Sequence, residues 1–145
     1  MSRSVAVLMG GWSSEREVSL VSGGAILDAL KETEYDARGI DVQRDVAQFA
    51  AQLSPAPDVV LNALHGRYGE DGCIQGILEC LDLTYTHSGV MASALAMDKP
   101  MAKRLFDEVG IPCPRHEIAA RDDFKSGAVM DIPFVIKPMN EGSSV

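Results

Sequence analysis

The chain has 145 residues, 46% hydrophobic and 23% charged, a balance that suits a soluble globular protein with one core, or one domain and the start of another. A formal net charge of -8 and a pI near 4.7 argue against a surface for duplex nucleic acid, since neutralising phosphates needs clustered Lys and Arg. A small anion such as a nucleotide remains within reach of a few local lysines.

The chain opens directly into Val5-Ala6-Val7-Leu8-Met9, a strand over Ser4 to Met9 with no signal-peptide hydrophobic region, and no later stretch has membrane length. The expectation is a soluble, untargeted, cytoplasmic protein that binds no membrane. Gly10-Gly11-Trp12-Ser13 then leads into a helix from about Glu15 to Lys31. Its Val18, Val21, Ala25 and Ala29 share one face and Leu20 and Leu27 the opposite one, which predicts burial on two sides. A second strand near Tyr35 to Val42 and a short helix near Val46 to Leu53 follow, and Pro55 and Pro57 bracket a turn. Asp58 to Leu64 is a continuous apolar run, as in a strand buried on both faces. Ile74, Ile77, Leu78 and Leu81 recur at i, i+3, i+4, i+7 and mark a third helix. Alternating strands and helices with short connections imply an α/β fold: an open parallel Rossmann-like sheet with flanking helices and right-handed crossovers. Cys73, Cys80 and Cys113 are odd in number and widely spaced, so they read as reduced thiols rather than disulfides or a zinc site.

Beyond Tyr85-Thr86-His87-Ser88-Gly89 an Ala- and Met-rich helix ends near Asp98. Lys99-Pro100 starts another, with Met101, Leu105 and Val109 on one stripe, and Gly110 stops it. Pro133-Phe134-Val135-Ile136-Lys137 reads as a strand. The expected organisation is one α/β domain over residues 1-98 and a second, truncated α+β unit over 99-145. A helix with two or three strands cannot cover both faces of a sheet, so the chain reads as the N-terminal piece of a longer protein. The strand over Phe134 to Ile136 would then expose apolar surface and an unpaired edge.

Three clusters invite chemistry. In Gly10-Gly11-Trp12-Ser13-Ser14-Glu15-Arg16-Glu17 the glycines let backbone approach a ligand, though the spacing is not that of a dinucleotide fingerprint. Ser14 and Glu17 fit a capping box, and Glu15 either stabilises the helix start or holds a substrate ammonium group. The segment Asn62 to Gly72 sets six polar or charged side chains among three glycines straight after an apolar run. It falls on a strand-to-helix loop, where open α/β sheets bind ligands. There Asp71 reads as a helix cap, and His65 is either structural or part of a site shared with the Glu15 loop. Lys99 and Lys137, with the Gly- and Ser-rich loop after the latter, suit phosphate binding, against the commoner reading of solvated lysines.

Taken in order, Leu8 to Ser19, Ala63 to Gly72, Met97-Asp98-Lys99 and Lys137 to Val145 resemble the D-alanine-D-alanine ligases of the ATP-grasp superfamily, over essentially the whole chain. The resemblance implies a pre-ATP-grasp substrate domain followed by the opening of an incomplete ATP-grasp domain. It implies ATP and Mg2+ (or Mn2+) as cofactors, D-alanine and ATP as substrates, a dipeptide product for peptidoglycan, and homodimers. By resemblance Glu15 orients the first D-alanine through its ammonium group, His65 lies in the same pocket, Lys99 and Lys137 contact ATP phosphates, and Ser143 links Glu15 to a mobile loop. The metal ligands fall beyond the chain's end, so none is assigned here and the isolated chain is expected to be inactive. A stand-alone small-ligand-binding module and a D-alanine-D-lactate ligase are the alternatives.

Overall fold

A computed structural model of the protein describes residues 2-125, 127 and 129-141. Three parallel strands, β1 (Ser4–Gly10), β2 (Asp36–Val42) and β3 (Val59–Asn62), form a sheet in the order β2-β1-β3. Val7 pairs with Gly39 on one side and Leu61 on the other. The open parallel sheet with flanking helices is therefore as the sequence predicts. β1 is central, and its Val5, Ala6, Val7 and Leu8 are all buried.

Helix α1 (Arg16–Lys31) covers one face of the sheet, over a cluster that includes Val5, Val7, Ile26, Leu27 and Leu30. The opposite face holds the larger core, in which α2 (Val46–Gln52) contributes Phe49 and α3 (Cys73–Cys80) contributes Ile74 and Leu78. Asp45 caps α2 by accepting the Gln48 N-H at 2.9 Å. α4 (Val90–Met97) and α5 (Lys99–Glu108) follow, and Asp98 caps α5 through the Met101 N-H at 3.0 Å. Gly110, at φ +77°, ends α5 in the left-handed conformation expected of a helix stop. Among the described residues no helix is long and apolar enough to cross a membrane.

Three sequence-based expectations are corrected. The Val18, Val21, Ala25 and Ala29 face of α1 is the outer one, with Val21 74% exposed, and the buried residues are Ser19 and Gly23. The reason is closeness: a Cβ at Gly23 would lie 2.5 Å from Met9 Cβ, so this contact admits only glycine unless the helix or Met9 shifts. Gly23→Ala is accordingly expected to cost about 1–3 kcal/mol by overpacking, measured by urea denaturation. Second, Ser14 and Glu17 form no capping box. Glu15 is the N-cap residue of α1 and its side chain does not cap, while Ser13 Oγ accepts the Glu15 N-H at 3.1 Å.

Third, residues 133-137 form no strand, and the β part of the expected second unit is not seen among the described residues. Strand propensity there is high, but a strand needs a partner to take its hydrogen bonds, and none of the described residues provides one. Val135 is 79% exposed, and Ile132, Ile136 and Met139 are also exposed, so this segment presents the apolar surface its sequence implies.

Candidate functional site

The Gly10-Gly11 turn and the loop after β3 both leave the carboxyl ends of neighbouring parallel strands, so the topology alone brings Glu15 and His65 to one edge of the sheet. Hydrogen bonds then lock the loops together. Ser13 Oγ donates to the His65 carbonyl at 2.8 Å, and the hydroxyl of Ser22 on α1 lies 3.1 Å from His65 Nε2. Ser19 Oγ donates to the Ala63 carbonyl at 2.7 Å. Three serines from the start of α1 and the turn before it thus hold the chain from Ala63 to His65.

Glu15 is 3% exposed, and its carboxylate points at the second loop. A Cβ at Gly66, whose φ is +71°, would lie 2.5 Å from Glu15 Oε2 and 3.2 Å from Ser13 Oγ. Only glycine combines this backbone with this approach. The Gly66 N-H in turn donates to Glu70 Oε2 at 2.6 Å, which folds the loop back on itself. Burying a carboxylate is costly unless charges or donors face it, so the position of Glu15 is closely defined by the groups around it.

The loop is fixed from below as well. The Gly69 carbonyl accepts from Asn62 Nδ2 at 2.8 Å and from Gln75 Nε2 at 2.9 Å, while Asn62 Oδ1 accepts the Leu64 N-H at 3.1 Å. Tyr68 adopts φ +73° and stacks on Trp12 with ring centroids 4.9 Å apart, and the Arg67 guanidinium lies 5.2 Å from the Tyr68 ring centroid. A tyrosine in this backbone region is strained, and the aromatic stack between the two loops offsets part of that strain. Asp71 accepts the Cys73 N-H at 3.2 Å just before α3, but the N-cap position expected of it is held by Gly72.

On the other side of the Gly10-Gly11 turn, Arg16 forks onto Asp41 at 2.8 and 2.7 Å and also donates to the Gly11 carbonyl at 2.9 Å. The hydrogen bond from Arg16 is the main cause holding Asp41 below its ordinary carboxylate pKa. A lowered folded pKa means stability that is present above the unfolded value and is lost as pH falls through the folded one. Both side chains are roughly a third or more exposed, so the effect is small. Arg16→Met is expected to flatten the acid limb of the stability profile below about pH 4, by less than about 1 kcal/mol in urea titrations.

Lys99, at the first turn of α5, reaches the late segment of the chain. Its Nζ donates to the Glu141 carbonyl at 2.5 Å and lies 3.4 Å from the Met139 carbonyl. It also lines a cleft of about 350 Å3 with Glu70, His87, Ser88, Ser93 and Glu141. Through Glu70 this cleft adjoins the loop that carries His65 and Gly66. Lys137 is exposed, two residues before Met139. Ser143 lies outside the described residues. Glu15 and His65 are therefore neighbours, and Lys99 shares a cleft with their loop. Ser13, Ser19, Ser22, Asn62 and Gln75 are the supporting residues whose roles sequence reasoning missed. Asn62 and Gln75 carried a usable signal, as amides inside otherwise apolar runs.

A family model described as D-ala D-ala ligase N-terminus matches residues 4–54 and 43–88. The D-alanine--D-alanine ligase of Rhodospirillum rubrum is 54% identical over 146 residues, covering 100% of this chain and 48% of its own length. That of Parvibaculum lavamentivorans is 55% identical over 141 residues, covering 97% of this chain and 45% of its own. Among solved structures, D-alanine--D-alanine ligase from Bacillus anthracis superposes with a TM-score of 0.76 at 32% identity, over 98% of this chain and 47% of that one. The same organism's ligase complexed with ATP gives 0.71 at 31% identity, over 86% and 44%. The chain spans about half the length of the relatives it matches.

Proposed function

This chain belongs to the D-alanine-D-alanine ligase N-terminal family, and from that premise we propose that it is the substrate-binding half of a cytoplasmic, ATP-dependent ligase that joins two D-alanines for peptidoglycan. Residues 1-98 form the substrate domain and residues 99-145 open the ATP-binding domain. The observation that carries this reading is the buried Glu15 carboxylate, set against Gly66 beside His65, with Ser13 bridging the Glu15 N-H and the His65 carbonyl.

In the proposed reaction a carboxylate oxygen of the first D-alanine attacks the γ-phosphorus of ATP, forming an acyl phosphate and releasing ADP. The amine of the second D-alanine then attacks the acyl carbon, and the tetrahedral intermediate expels phosphate to leave the dipeptide. Glu15 faces the ammonium group of the first D-alanine and fixes which way its carboxylate points. His65, oriented by Ser22, forms part of the same pocket wall. Lys99 and Lys137 supply positive charge where phosphoryl oxygens gather it, and Ser143 couples Glu15 to a segment of the longer protein. Nucleotide is supported by the Lys99 cleft and by the family relationship. Magnesium would serve as the metal ion, with ligands from the rest of the protein. The described residues contain no group of three His, Cys, Asp or Glu side chains fit to hold it.

The test is dipeptide formation. Full-length protein incubated with ATP, magnesium and D-alanine is expected to release ADP and D-alanyl-D-alanine in equal amounts by mass spectrometry. The 145-residue chain alone is expected to release neither. ADP release by the full-length protein without dipeptide would overturn the reading.

A further inference from the structure

His87 has no part in the reaction described above, yet its setting is tightly defined. Gln75 is 0% exposed, and its Nε2 lies 2.9 Å from the Gly69 carbonyl and 3.3 Å from His87 Nδ1. A carbonyl oxygen can only accept, so the Gln75 atom facing Gly69 must be the amide nitrogen. The same NH2 group then donates to His87, and Nδ1 must be the acceptor. The neutral ring therefore carries its proton on Nε2, on the side away from Gln75. Turning the amide over to accept from an Nδ1-H would set Gln75 Oε1 against the Gly69 oxygen, which already accepts from Asn62 Nδ2 at 2.8 Å.

The segment that carries His87 is held on its other side. Ser93 Oγ donates to the Ser88 carbonyl at 3.0 Å, and a Cβ at Gly72 would lie 2.7 Å from the Val90 carbonyl, so the start of α4 packs directly on the start of α3. The imidazole is thus a half-buried donor of fixed tautomer in the cleft that contains the Lys99 ammonium. Of the two acidic residues lining the cleft, Glu70 turns its carboxylate to the Gly66 N-H at 2.6 Å, and Glu141 accepts from Lys99 through its backbone carbonyl. A fixed N-H, a hydroxyl from Ser88 and an ammonium group in one cleft match an oxygen anion.

We propose that His87 is a ligand-binding residue of this cleft: its Nε2-H donates to an anionic oxygen, phosphoryl or carboxylate, of a substrate bound in the cleft beside Lys99. Gln75 is the positioning residue that selects the donating tautomer. The proposal rests on the reading of the cleft as part of a ligase site, and it adds the imidazole to the groups that recognise the substrates.

The experiment uses the full-length protein with two separate probes, ADP and D-alanine, whose binding is followed by calorimetry. His87→Ala is expected to weaken one probe roughly tenfold and leave the other unchanged. His87→Gln, whose amide reaches near the position of Nε2, is expected to recover most of the loss. Weakened ADP assigns the oxygen to a phosphoryl group, and weakened D-alanine to a carboxylate. Two-bond 1H-15N spectra of the free protein should show His87 as the Nε2-H tautomer. An Nδ1-H tautomer overturns the proposal, as does loss of both probes together. If Lys99→Ala loses ADP while His87→Ala changes neither probe, the His87 assignment fails and the ligase reading stands. A wild-type protein that binds neither probe overturns both.

Discussion

Gly66→Ala is expected to destabilise the chain by about 2–3 kcal/mol and to cut dipeptide formation by the full-length protein more than about 100-fold. Two costs combine. At φ +71° an L-residue loses roughly 1–2 kcal/mol relative to glycine. The new methyl group would also stand 2.5 Å from Glu15 Oε2, so the carboxylate, the loop or both must move. Displacing the group proposed to orient the substrate by about 1 Å is enough to lose two orders of magnitude in rate. Gly24→Ala is the matched control: a Cβ there meets nothing within 4 Å, and the site lies inside α1. That change is expected to stabilise by roughly 0.5–1 kcal/mol with turnover unaltered. Urea denaturation gives the stability arm and mass-spectrometric assay of dipeptide the catalytic one. A Gly66→Ala protein with normal stability and turnover would mean that the contact between Glu15 and the loop is unimportant.

Glu15→Gln is expected to lower kcat/KM for D-alanine about 100- to 1,000-fold while changing the KM for ATP less than about threefold. The amide has nearly the volume of the carboxylate, so the buried site keeps its packing, but it loses the charge proposed to face the ammonium group of D-alanine. A buried charge left without its partner costs about 3–5 kcal/mol, the same size as the predicted loss. Steady-state kinetics with D-alanine and ATP varied in turn would check it. Equal losses for both substrates would point to a disturbed fold, and no loss at all would remove Glu15 from the substrate pocket.

The parts of the fold that were legible in the sequence are those in which hydrophobic pattern and burial coincide. The runs Val5 to Leu8 and Val59 to Leu64 announce parallel strands because both faces of such a sheet are covered, and Ile74 and Leu78 announce α3 because they point into the larger core. The inner face of α1 was misread because it is defined by smallness rather than hydrophobicity. Ser19 and Gly23 let the helix sit against β1 and the Ala63 carbonyl, and Val18 and Val21 are left outside. The strand expected over residues 133-137 failed for a different reason: propensity describes a residue, whereas a strand exists only with a neighbour.

For the candidate site, the proximity of Glu15 and His65 was legible because each lies in a loop that leaves the carboxyl end of a neighbouring parallel strand. The residues that connect them were not. Ser13 meets the His65 backbone across 52 positions, and Ser22 meets its ring across 43. Nothing local distinguishes these serines from ordinary helix-start serines, since their role comes from a partner that folding supplies. Lys99 was legible from the resemblance, whereas its bonds to the Met139 and Glu141 carbonyls could not be, because they span 40 positions or more.

That Glu15 and His65 act as one unit on the first D-alanine is tested most directly by a double-mutant cycle in the full-length protein. Glu15→Gln, His65→Gln and the double variant would be compared by kcat/KM for D-alanine. The double variant is expected to lose markedly less than the product of the single losses, with a coupling of about 1–3 kcal/mol, because removing either partner already disables the shared pocket. Losses that multiply, leaving a coupling below about 0.5 kcal/mol, would show that the two residues serve separate sites and contradict the pocket described here.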